Sequence, residues 1–152
     1  MPNKKHLVAF AAVSAILGSL VITTPSFAAS SEQVLYSFCQ THIQGNCRDG
    51  ETPVAGLIFD AAGNLYGTTY SGGYYGYGAV FELTLNNGTW AEKVLYSFNL
   101  DGKDGFNPNA SLIFDAAGNL YGTTYSGGAY NEGGGTVFEL IPNQGRQSRS
   151  FC

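Results

Sequence analysis

Residues 57–73 and residues 112–128 both read LIFDAAGNLYGTTYSGG, seventeen residues copied without one change. Two shorter blocks return in the same order: VLYSF at residues 34–38 and 94–98, and VFEL at residues 80–83 and 137–140. Self-similarity at a period of roughly 40 to 60 residues belongs to propellers, solenoids and arrays, where one supersecondary unit stacks on its neighbours. The copying constrains architecture before any other property of the chain is considered.

Within one unit the pattern predicts four short strands. Residues 55–59 are an apolar run and residues 65–69 an aromatic and β-branched one, separated by Asp60-Ala61-Ala62-Gly63-Asn64. Asp60 can accept backbone hydrogen bonds there and Gly63 can take a positive φ, so the pair reads as a hairpin with a longer turn. Residues 115–119 repeat that turn. After a Gly- and Tyr-rich loop, residues 79–85 and 90–98 form two further strands joined through Asn87-Gly88, the strongest short hairpin signal. High Gly, Tyr and Phe content with few charges favours sheet over helix. The expected fold is all-β: about two propeller-like, four-stranded antiparallel blades forming an incomplete array, preceded by a helical leader.

The two copies are not evenly spaced. Val34 to Val94 spans 60 residues but Leu57 to Leu112 spans 55, so five extra residues lie between Phe38 and Pro53. That stretch holds Cys39 and Cys47, while its counterpart after Phe98 holds no cysteine. Two cysteines arriving together with an insertion in an exported chain predict a local disulfide closing the enlarged loop. His42 lies between them, but the spacing fits no standard zinc finger, and no metal is expected.

Export is read from the first residues. Lys4 and Lys5 precede an apolar run over residues 7–22, and Ser26 and Ala28 suit the positions three before and one before a signal-peptidase cut. Cleavage after Ala28 removes two lysines and no acid, taking the formal charge from −4 to −6. Such a chain is a poor partner for nucleic acid, and after cleavage it has no segment able to span a membrane. A secreted or cell-surface location follows.

The order VLYSF, a DG-containing loop ending in Pro, GLIFDAAGNLYGTTYSGG, a Gly-rich stretch and VFEL resembles the GloVer tandem repeat of bacterial exported proteins, those of the choice-of-anchor kind. The pattern runs twice over residues 34–142. The resemblance implies a surface protein of propeller-like repeats with no assigned activity, in which many repeats precede a C-terminal anchoring signal. The expected organisation is a signal peptide at 1–28, a first unit with the disulfide-loop insertion at 29–93, a second unit at 94–142, and at 143–152 the start of a third unit or a tail. Ser150-Phe151-Cys152 echoes Ser37-Phe38-Cys39, which leaves Cys152 with no encoded partner.

Catalytic candidates are thin, and no cofactor is expected. Asp60 with Asp115, or Glu82 with Glu139, are repeat equivalents in matching environments, whereas an acid and base pair needs environments that differ. Turn capping suits the aspartates and a solvent-facing strand position the glutamates. Asp101-Gly102-Lys103-Asp104-Gly105 lacks the later acidic ligand of a calcium loop and reads as a turn. The hint with a mechanism is aromatic. Tyr70, Tyr74, Tyr75 and Tyr77 crowd one Gly-rich loop, and Tyr125 and Tyr130 occupy its copy. Flat amphipathic rings on loops suit carbohydrate or a surface protein, with packing between blades as the structural alternative. The expected function is non-catalytic binding or display at or outside the cell surface; an exported carbohydrate-active enzyme or a truncated fragment is the rival reading. Open blade faces further suggest self-association.

Overall fold

The structure, a computed structural model, describes residues 30–43, 45–128, 134–141 and 148–151. The expected leader, Tyr130 and Cys152 lie outside the described residues. From Gln33 onward the chain forms one compact unit. Among the described residues the fold is all-β, with every strand pair antiparallel and three sheets, none of them closed. No helix among them is long and apolar enough to cross a membrane.

The insertion folds into a small hairpin of its own, β1 (His42–Ile43) against β2 (Asn46–Cys47). The first large sheet then runs in chain order: β3 (Ile58–Phe59), β4 (Leu65–Thr69), β5 (Ala79–Asn86) and β6 (Thr89–Ser97). Its turns form for local reasons. Asp60 Oδ1 accepts from the backbone N–H groups of Ala62 and Asn64, and Gly63 sits at φ 86°. Between β5 and β6, Asn87 and Gly88 both have positive φ (50° and 82°), the two-residue turn whose twist matches that of the flanking strands. The first strand is shorter than the apolar run at 55–59 suggests, because only Ile58 and Phe59 pair with β4.

The second sheet repeats the plan. Both β7 (Gly105–Pro108) and β8 (Ile113–Phe114) pair with one side of β9 (Leu120–Gly127), followed by β10 (Thr136–Leu140) and β11 (Ser148–Phe151). In β11, Phe151 lies opposite Val137, whereas in the first sheet Tyr96 lies opposite Val80. The Ser-Phe echo at the end of the chain is therefore two residues out of step with the block it echoes.

Sheet and sequence period are also out of phase. The second VLYSF block begins as part of β6, the last strand of the first sheet, yet its Phe98 packs edge-on against Phe138 of the second sheet at 5.1 Å. The first VLYSF block belongs to no strand, and its Phe38 packs in the same way on Phe81 of the first sheet at 4.8 Å. Each block thus covers the sheet that follows it. Two apolar clusters result: Leu65, Phe81 and Leu83 under Leu35, Tyr36 and Phe38, and Val80, Phe98, Leu112, Leu120 and Phe138 between the two sheets. Glycine makes the close approach possible. A Cβ on Gly122 would collide with Phe138 Cζ and lie 2.8 Å from Leu112 Cδ2.

Candidate binding site

The cysteine insertion builds one wall of the site. Cys39 and Cys47 form a disulfide with their Cα atoms 4.5 Å apart, as the paired insertion predicts. His42 Nε2 lies 2.9 Å from Cys39 Sγ, and the ligand atoms of Cys39, His42 and Cys47 fall within 4.8 Å of one another. With both sulfurs joined to each other, this trio offers a metal the imidazole alone.

Asp49 anchors the loop from below. Buried, it accepts from Tyr36 Oη at 2.9 Å and from the backbone N–H groups of Gln40 and Thr41. Burial pushes its carboxyl up, but the hydrogen bonds from Gln40, Tyr36 and Thr41 outweigh that and hold it below the usual range. Asp104 is its counterpart, accepting from Tyr96 Oη and from the backbone N–H groups of Asn99 and Gly105. There burial wins, and the carboxyl is raised. The DG element of each unit is thus a latch that ties the end of VLYSF to the following loop. Asp101 accepts from the backbone N–H groups of Lys103 and Asp104, the turn expected of that segment.

The disulfide loop holds the aromatic loop. Cys47 C=O accepts from the backbone N–H groups of Gly50 and Gly73, and Gly78 N–H closes the loop onto Gly72 C=O. Tyr70 N–H bonds to Thr52 C=O, Tyr74 N–H to Ser97 Oγ, and Asn107 Nδ2 to Tyr70 C=O. On this frame Tyr74 and Tyr75 stand exposed, their rings edge to face at 4.9 Å, with the Arg48 guanidinium 4.2 Å from the centre of Tyr74. A cation over an aromatic face adds about 0.5–1 kcal/mol at an exposed site and fixes the ring plane.

The other tyrosines divide. Tyr70 is half-buried, and Tyr77 turns inward to pack on Phe106 at 5.7 Å beside the cluster between the sheets. Tyr125 is exposed on the second sheet, and among the described residues no ring contact joins it to Tyr74 and Tyr75. Arg48 is the partner that the sequence reading missed. Its nearness to Tyr74 comes from the insertion folding back over the aromatic loop, 26 residues on in the chain.

Each sheet also carries an acidic network built on one tyrosine. Tyr66 Oη lies 3.1 Å from Asp60 Oδ2 and 2.9 Å from Glu82 Oε1, and Tyr121 repeats this with Asp115 and Glu139. The aspartates do cap their turns as expected, but the glutamates are engaged by a phenol rather than facing water alone. Burial and the Glu82 contact raise the Tyr66 hydroxyl pKa; at Tyr121 the Glu139 contact leads and the value is pushed up to about 12. A phenol so held keeps its proton and shares it between two carboxylates.

Glu92 on β6 stands apart. Its Oε1 is buried with no hydrogen-bond partner among the described residues, and burial, then the charge of Asp49, raises its pKa to about 7.

A sequence family described as the Gloeobacter/Verrucomicrobia repeat matches this chain over residues 11–151. Neither a curated protein nor a solved structure matches it.

Proposed function

The chain belongs to the Gloeobacter/Verrucomicrobia repeat family, and from that premise we propose that it is an exported, non-catalytic repeat module that works by binding or display at or outside the cell surface. In this reading its sheets stack in the manner of propeller blades, and the 70–78 loop is the contact surface. One observation carries the proposal: Tyr74 and Tyr75 stay exposed on a loop that disulfide, backbone bonds and Arg48 hold in place. Ordering a loop on binding costs free energy, and a platform ordered in advance avoids that cost. Paired tyrosines supply flat apolar area and hydroxyls, which suits a sugar ring or a surface protein.

Affinity electrophoresis through gels containing plant or bacterial polysaccharides tests the sugar arm. Retardation of the wild-type protein that is lost in Tyr74→Ala/Tyr75→Ala, while the variant still melts cooperatively and loses no more stability than the about 0.5–1 kcal/mol of the Arg48 contact, is the expected result. No retardation in any gel would move the site to protein partners.

A second reading, an exported carbohydrate-active enzyme, is favoured by the opposed shifts of Glu92 and Asp49, one raised and one lowered. Asp49 is already engaged by Tyr36, Gln40 and Thr41, which argues for a structural role. Glycan hydrolysis that disappears in Glu92→Gln would establish the enzyme.

A further inference from the structure

Repeat equivalence makes each side chain a control for its copy. Residues 57–73 and 112–128 are identical, so a difference in burial between them reports position in the stack and not side-chain chemistry. Leu112 is 0% exposed and Leu57 is 48% exposed. Both lie on the same face of their sheets, since a Cβ on Gly122 would meet Leu112 and Phe138, and a Cβ on Gly67 would meet Leu57 and Phe81. What covers Leu112 is the opposite face of the first sheet, where Val80, Ile58 and Tyr66 pack in the same cluster.

On that opposite face the inequality reverses. Val80 is 0% exposed, but its copy Val137 is 54% exposed, and Ile113, the copy of half-buried Ile58, is 65% exposed. Phe114 packs edge-on against Tyr66 at 5.1 Å, while its copy Phe59 is 66% exposed. The unit therefore presents two different open ends: Leu57 with Phe59 at one, Ile113 with Val137 beside Tyr121 at the other. They are the two halves of a joint that the chain already makes once inside itself.

We propose that the partner of these faces is a second copy of this chain, docked head to tail. Leu57 and Phe59 of one molecule take, on Ile113, Tyr121 and Val137 of the next, the places that Leu112 and Phe114 hold on Ile58, Tyr66 and Val80. The acid at the open end does not oppose this, because Tyr121 engages Glu139 as Tyr66 engages Glu82 inside the existing joint. Two unlike ends make a heterologous contact, which grows until a ring closes or continues as a filament. This assembly does not depend on the ligand-binding reading.

Sedimentation velocity on the purified protein, carrying Cys152→Ser to exclude thiol cross-links, tests it over about 1 to about 100 µM. The expected species exceed the 16.1 kDa of one chain and grow with concentration. Phe59→Glu and Val137→Glu each disable one end at an exposed position, so each variant alone sediments as a folded monomer. Mixed in equal amounts, the two retain one intact end each and form a dimer of twice the monomer mass. A monomeric parent protein would assign the faces to another occupant, such as further repeats or a different protein, and would overturn the proposal. So would a single variant that still assembles, or a mixture of folded variants that stays monomeric.

Discussion

Burial gives Glu92, as it gives Asp104, a pH dependence opposite to that of Asp49, Asp60 and Asp115. The Glu92 carboxyl is raised from 4.5 to about 7, so the folded state binds the proton more tightly than the unfolded chain does. The stabilising contribution of the protonated form is complete below the unfolded value and is lost as pH rises through about 7. Asp49, Asp60 and Asp115 are lowered, and their contributions are instead lost as pH falls below the ordinary carboxylate range. The two windows are separate. Thermal melts should show stability falling by about 1–2 kcal/mol between pH 5 and pH 8, a value discounted for the water that Glu92 still meets. Glu92→Gln, neutral throughout, should flatten that interval and exceed the wild type at the alkaline end. A wild-type profile already flat there would show that Glu92 is not desolvated in the folded protein.

Among the elements, the disulfide hairpin and the aromatic loop behave as one piece, because Cys47 C=O holds Gly50 and Gly73 together. Closing a loop of this size removes unfolded-state entropy worth about 2–3 kcal/mol. Cys39→Ala/Cys47→Ala should lower stability by that amount, and hydrogen exchange should accelerate at Gly73 and Tyr74 well before it does in β5. The sheets offer a matched pair of tests. A methyl on Gly122 must displace Phe138 and a Leu112 that the first sheet encloses, whereas on Gly67 it meets Phe81 and a Leu57 with space beside it. Gly122→Ala should therefore cost about 2–3 kcal/mol of overpacking strain and Gly67→Ala less than half as much, as read from denaturant midpoints. What the sequence made legible at this scale was local: Asp60-to-Asn64, Asn87-Gly88 and the cysteine insertion each carry their geometry within a few residues. The Asp60, Tyr66 and Glu82 network, the inward turn of Tyr77 and the stacking of Arg48 on Tyr74 depend on chain segments brought together from afar. No short-range pattern announces them.

At the scale of the whole molecule, identical sequence ends in unequal environments. The copied blocks revealed that two similar sheets would form, but not that each VLYSF block would cover the sheet after it, since that pairing is set by stacking rather than by strand periodicity. The consequence is measurable at one residue type. Val80 and Val137 follow the same strand pattern, pair across to Thr68 and Thr123 of copied segments, and differ in what lies against them. Val80 is enclosed between the sheets with Leu112 and Phe138, so Val80→Ala leaves a cavity and should cost about 2 kcal/mol at any protein concentration. Val137 stands open on the single chain, so Val137→Ala should change dilute-solution stability by less than about 0.5 kcal/mol. If a second copy covers Val137, its substitution should become costly as concentration rises, because association adds to the apparent stability of the folded chain. Denaturant unfolding of both variants, at low and at high micromolar protein, separates these outcomes. Equal costs for the two substitutions in dilute solution would mean that Val137 is already enclosed within one chain, and that the second sheet has no open end.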